Sequence, residues 1–192
     1  MDLEVNKPEP IAYTERIELF QLGMDVQLII AALEAGSPVL IKKVYGDGIA
    51  LLQEVQNYLK QKLPNKSFVE QREFRSAYHK LSNLILLEVV NQKLSAKKSP
   101  TIGWLEKLYP ENNHFCLTLP QIQGLNSAWQ WHINGVSIPV LRNKMYPYYG
   151  TYFPTRFEHL ILFDNWLKHY KGSKKTAIDV GVGCGVLSLQ MV

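Results

Sequence analysis

The sequence predicts an α+β chain in three parts. Residues 1–128 read as a mainly helical N-terminal domain, 129–145 as a β-hairpin linker, and 146–192 as the opening strand and helix of a doubly wound α/β domain. Three observations carry this reading. Apolar residues recur at helical spacing through much of the first hundred positions. Asn134-Gly135 stands between two short runs of strand-forming residues. Ala177–Val192 reads as strand, Gly-rich turn and helix.

Residues 1–14 form a polar lead-in holding Pro8 and Pro10. From Arg16 to Glu34, Ile17, Phe20, Met24, Leu28, Ile29 and Leu33 fall on one helical face, until Gly36-Ser37-Pro38 breaks the pattern. A second helical stretch is expected from Val39 to Leu63, interrupted at Gly46 and Gly48 and stopped by Pro64-Asn65. Ser67 and Glu70 have the spacing of a capping box, in which hydroxyl and carboxylate each accept from an orphaned backbone N–H. The helix behind them should run to about Leu94, through Phe74, Tyr78, Leu81, Ile85 and Val89. A short helix is expected at Thr101–Leu108 and a strand at Phe115–Leu119.

Trp129–Ile133 and Val136–Leu141 are the expected arms of the hairpin, with Asn134-Gly135 supplying the two positive-φ residues of a type I′ turn. Thr155 and Glu158 form a second capping-box pair, ahead of a helix carrying Phe157, Leu160, Leu162, Phe163 and Leu167. Lys171–Thr176 is a polar loop, Ala177–Val180 a short strand, and Val186 opens a helix with no stop signal after it. A doubly wound sheet needs further parallel strands, so Ala177–Val192 is expected to be weakly supported and the domain to be cut after its first strand and helix.

Composition limits the function classes. Of the 192 residues 46% are hydrophobic and 20% charged, which excludes disordered and low-complexity classes. The net charge of +4 permits an anionic partner without requiring one. Two cysteines, Cys116 and Cys184, are too few for a disulfide scaffold or a cysteine-rich zinc site. With no basic-then-apolar leader and no long apolar run, the expectation is a cytoplasmic chain without a membrane span.

The chemistry is concentrated in Ile178-Asp-Val-Gly-Val-Gly-Cys-Gly185. A loop passing close to a ligand cannot carry Cβ atoms and often needs positive φ, which Gly181, Gly183 and Gly185 supply. A P-loop would need Gly-Lys-Ser/Thr, and Val186-Leu187 stands there instead. A dinucleotide fingerprint wants glycine or alanine where Val186 stands, and Asp179 would repel a pyrophosphate. S-adenosylmethionine, with its ammonium and sulfonium charges, suits an acidic residue two positions before the first glycine.

Asp179–Gly185 resembles motif I of class I S-adenosylmethionine-dependent methyltransferases. Upstream, Tyr152-Phe-Pro-Thr-Arg-Phe-Glu158 is similar to the segment before motif I in HemK-like protein-glutamine methyltransferases, which modify peptide release factors. In that family a hairpin joins a helical domain to the catalytic domain. The resemblance implies that Asp179 orients the methionine ammonium, that Gly181, Gly183 and Gly185 let the backbone pass beneath the cofactor, and that Phe153, Pro154 and Arg156 stand near its mouth. It implies a macromolecular substrate: first a glutamine of a protein such as a release factor, second an RNA or DNA base. The family's Asn-Pro-Pro-Tyr motif would lie beyond residue 192, so no catalytic residue is named. If residue 192 is the natural end, the chain is instead a binding or interaction module.

The remaining residues read more plainly. Tyr146, Tyr148, Tyr149 and Tyr152 are packing aromatics or a stacking surface for a base or cofactor. The five histidines show no metal spacing. Lys93, Lys97 and Lys98, like Lys171, Lys174 and Lys175, are solvated loops or contacts for nucleic-acid phosphates.

Overall fold

A computed structural model describes residues 6–13, 18–20 as backbone, 25–63, 67–173 and 176–192. Outside the described residues lie the start of the lead-in, most of the first half of the helix expected from Arg16, the Pro64-Asn65 stop and Lys174-Lys175. The chain is mixed α and β and divides into two compact units, Lys7–Asn126 and Ser127–Val192.

The Lys7–Asn126 unit is built on a five-stranded sheet, where the sequence predicts a mainly helical domain. In order come β1 (Glu18–Phe20), α1 (Val26–Glu34), β2 (Val39–Ile41), α2 (Tyr45–Lys62) and α3 (Phe68–Ser82). Then follow β3 (Ile85–Val90), β4 (Lys93–Leu94), α4 (Gly103–Leu108), β5 (His114–Thr118) and α5 (Leu119–Asn134). β1, β2 and β3 are parallel neighbours, with Leu19 opposite Leu40 and Leu40 opposite Leu86. β4 and β5 are antiparallel to β3, with Val89 opposite Leu94 on one side and Phe115 on the other. β2 and β4 thus follow one another along one edge of β3, and β5 takes the other. Helical connections between parallel strands are what such pairing requires, since a tight turn cannot join them.

Three expected helices are corrected here. Residues 18–20, placed in a helix by spacing, are β1. Val39–Ile41 is a strand buried on both faces, so its apolar residues run continuously rather than alternating. The helix begun at Ser67 ends at Ser82 instead of about Leu94, because Ile85–Val90 is the central strand β3. The Ser67–Glu70 capping box itself is formed. Glu70 Oε2 accepts from the Ser67 N–H at 2.8 Å, and Ser67 Oγ accepts from the Glu70 N–H at 3.2 Å. The short helix near 101–108 and the strand near 115–119 are present as α4 and β5. Leu33, Ile41, Val55, Ile85, Leu87, Trp104, Phe115 and Leu117 are buried in the core of this unit. Each such side chain contributes roughly 1.5–3 kcal/mol relative to exposure.

The expected hairpin at 129–141 does not form. Trp129–Ile133 continues α5, and Gly135 ends that helix in the left-handed conformation (φ +69°), its N–H bonding the Trp131 carbonyl at 3.0 Å. The linker keeps one antiparallel bridge, with the Val136 N–H donating to the Met145 carbonyl at 2.7 Å and the reverse bond at 2.9 Å. The two-residue hairpin turn of this chain is Asn91-Gln92, both at positive φ (47° and 60°), between β3 and β4.

In the Ser127–Val192 unit, α6 (Glu158–His169) and α7 (Val186–Gln190) pack with the bridged linker. Ile138, Leu160 and Val186 form its buried cluster, with Val136, Val140, Leu141, Met145 and Phe157 against it. The second capping box is not made: the residue before α6 is Phe157, and no side chain caps the helix. The expected strand at Ala177–Val180 is not a strand, because no neighbouring chain satisfies its backbone groups. Ile178 and Val180 are 91% and 90% exposed.

Candidate functional site

The Gly-rich loop is fixed from two sides. The Cys184 N–H donates to the carbonyl of Tyr152 at 2.9 Å, tying the loop to the Tyr152–Glu158 segment. Gly185, left-handed at φ +79°, directly precedes α7, and its N–H bonds the Val182 carbonyl at 2.8 Å. Below, Gln190 Nε2 donates to the Leu160 carbonyl at 3.0 Å, holding α7 on α6.

All three glycines occupy the left-handed region, at φ +76° (Gly181), +54° (Gly183) and +79° (Gly185). Their reasons differ. A Cβ on Gly183 would stand 2.8 Å from the Tyr152 carbonyl oxygen, so both space and conformation demand glycine. A Cβ on Gly181 would meet nothing within 4 Å, so only its φ does, and its outer side is open.

Asp179 is half-buried, and its Oδ2 accepts from Ser188 Oγ at 2.7 Å. With Tyr152, Pro154, His159, Gly181 and Leu187 it lines a cavity of about 100 Å³. The structure therefore brings Asp179, Gly181 and Pro154 together, with Gly183 and Gly185 shaping the loop behind them. Phe153 is elsewhere: it is buried edge-on against the Trp131 ring, 4.7 Å between centroids. Arg156 is exposed and makes no hydrogen bond or ion pair among the described residues. Ser188 and His159 are site residues that sequence reasoning missed, whereas Tyr152, read there as packing or a stacking surface, lines the cavity. Ser188 follows Gly185 by three residues in a helix, a spacing that returns its hydroxyl toward Asp179 at the start of the loop.

No protein-family model matches this chain, and no curated protein matches it. The site is therefore judged on its own geometry.

Burial pushes the Cys184 thiol above its ordinary value, against opposing hydrogen bonds from backbone N–H groups of the loop. It is a packing residue of the loop at neutral pH rather than a thiolate. The tyrosine run is partly packing as well: Tyr148 meets the His132 ring edge-on at 5.9 Å, and the Tyr146 ring lies against Gly135. Among the described residues, no group of three or more His, Cys, Asp or Glu side chains could hold a metal ion. Nor is any described helix long and apolar enough to cross a membrane.

The residues present fit the amino-acid end of S-adenosylmethionine. A carboxylate faces a small concavity beside a glycine whose outer side is open. A 100 Å³ cavity is smaller than the ~300–1,000 Å³ of a whole small-molecule site. A cavity of that size has room for no more than the amino-acid end of such a ligand.

Proposed function

We propose that this chain carries the motif-I half of a Rossmann-like, class I S-adenosylmethionine-dependent methyltransferase acting on a macromolecule. One observation carries the reading: a half-buried carboxylate, Asp179, beside three left-handed glycines at alternate positions. The cofactor would supply an activated methyl group on a sulfonium. The task left to this chain is binding and alignment. Asp179, held by Ser188, would face the ammonium. The Gly181–Gly185 backbone would pass beneath the cofactor, with Pro154 at its mouth. Phe153, buried against Trp131, has no part in that mouth.

The acceptor is a macromolecule, a protein glutamine first and a nucleic-acid base second. A protein glutamine, as in a release factor, rests on the resemblance of Tyr152–Glu158 alone. The helical domain and hairpin that would extend that resemblance are replaced by a sheet and a helix.

Titration of the natural gene product with S-adenosylmethionine tests this reading. Saturable binding, weakened at least tenfold by Asp179→Ala and untouched by Lys60→Gln, is expected. Absence of saturable binding, or binding indifferent to Asp179→Ala, would overturn it.

A further inference from the structure

The β2–α2 corner and the β4–α4 loop meet in the Lys7–Asn126 unit, and both are basic. Lys42 and Lys43 follow β2 directly, while Lys93, Lys97 and Lys98 lie on and after β4. Backbone bonds join the two segments: the Lys97 N–H donates to the Lys43 carbonyl at 2.8 Å, and the Tyr45 N–H to the Lys97 carbonyl at 2.9 Å. The segment from Lys93 first runs back along β3, where the Ser95 N–H bonds the Glu88 carbonyl at 3.0 Å. Residues about fifty positions apart are thereby gathered at the carboxyl end of β2.

All five lysines are exposed, and none has a carboxylate within 4.0 Å among the described residues. The acidic groups nearby are few. Glu88 is buried and pairs with His114 at 2.8 Å, Asp47 is buried in the first turn of α2, and Glu106 lies across the adjoining cavity. That cavity has a volume of about 660 Å³. Lys93 and Lys98 stand at it, with Asn91, Ser99 and Thr101 supplying neutral hydrogen-bonding groups. Its size is that of a site for a nucleotide-scale ligand, and its lining mixes polar residues with apolar ones, Leu94, Ile102 and Leu105 among them.

We propose that this corner binds nucleic acid, the lysines contacting phosphates along the backbone and a nucleotide entering the cavity beside Lys93 and Lys98. Unpaired lysines on one surface attract any polyanion. A cavity of nucleotide size, part apolar and part polar as a base and its sugar would need, favours nucleic acid over an acidic polypeptide, whose carboxylates would need no such recess. The proposal is independent of the methyl-transfer reading, since its residues belong to the other unit.

Fluorescence anisotropy of the full chain with labelled single-stranded RNA, single-stranded DNA and duplex of about 20 nucleotides provides the test. Each single-strand phosphate contacted adds about −0.7 to the slope of log affinity against log salt. Five contacts predict a slope near −3.5, roughly a 100-fold loss of affinity on a fourfold rise in salt. Lys97→Gln/Lys98→Gln should lower affinity about tenfold and flatten the slope by about 1.4. Lys60→Gln/Lys62→Gln, near the far end of α2, removes the same charge and should leave both close to wild type. Equal effects of the two pairs, or no saturable binding to any of the three, overturn the proposal. So does competition by poly-glutamate as effective as that by RNA of matched charge, which would assign the surface to acidic protein.

Discussion

The Tyr152 carbonyl oxygen accepts a hydrogen bond from the Cys184 N–H at 2.9 Å and stands 2.8 Å from where a Gly183 Cβ would sit. One oxygen thus both anchors the loop and forbids a side chain on it. Gly183→Ala must break the contact or shift the backbone, in addition to straining a positive φ, at a cost of about 1–3 kcal/mol. Gly181→Ala meets no neighbour and bears the conformational term alone, about 1 kcal/mol. Chemical denaturation followed by near-ultraviolet circular dichroism should rank wild type, Gly181→Ala and Gly183→Ala in falling order.

Ser188 and Asp179 are joined by a 2.7 Å hydrogen bond across the loop. Ser188→Ala should cost about 0.5–1.5 kcal/mol. It should also weaken S-adenosylmethionine binding less than Asp179→Ala does, because Ser188 positions the carboxylate while the carboxylate meets the ligand. A larger loss of affinity in Ser188→Ala than in Asp179→Ala would reverse the roles.

Glu88 gives the Lys7–Asn126 unit an acid dependence. Burial alone would raise its carboxyl, but hydrogen bonds from Ser95 and His114, with the charges of His114 and Lys42, hold it below the ordinary value. A carboxylate whose folded pKa is depressed contributes stability that is complete above the unfolded pKa, about 4.3, and is lost as pH falls through the folded value. Urea unfolding at pH 6, 4.5 and 3 should show that loss in wild type. In Glu88→Gln the decline should be shallower.

Cys116 is fully buried opposite Glu88, and burial with that charge pushes its thiol up to about 11. Alkylation of the native protein at pH 8 should modify Cys184 alone, slowly, since its thiol is also raised. Both thiols should react in denaturant. Native modification of Cys116 at a comparable rate would mean that β5 opens readily.

Ser67→Ala should lower stability by about 1 kcal/mol, read as a shift in the denaturation midpoint, because it removes the hydroxyl half of the α3 capping box. This cap was legible in the sequence because its two side chains serve the backbone three residues away, independent of tertiary structure. The end of the same helix was not legible. Ile85 and Val89 fit both a helical stripe and a buried strand, and only pairing with β2, β4 and β5 decides between them. Asn134-Gly135 misled for a related reason: a left-handed glycine closes a helix as well as it turns a hairpin. The true hairpin turn at Asn91-Gln92 carries glutamine at a left-handed position, and the Gln92 side chain is held there by the Asn112 carbonyl at 3.0 Å.

At the candidate site, the glycine conformations and the carboxylate followed from local sequence. Phe153 did not, because its partner, Trp131, lies on a helix read as a strand. Arg156 likewise stands in solvent, since nothing in the Tyr152–Glu158 segment itself directs its side chain to the loop.

Among the described residues, β3 takes part in both antiparallel ladders between strands of its sheet and in the inner of the two parallel ones. Its ladders differ in the chain entropy needed to close them. β3 with β4 closes over a two-residue turn, β3 with β5 over a loop and one short helix, and β2 with β3 only after the whole of α2 and α3. Local ladders close before distant ones. The antiparallel half is therefore expected to form first and to template the parallel half. A lesion in Ile85–Val90 should consequently slow folding as well as weaken the product, costing β1 and β2 their template without altering a residue of either.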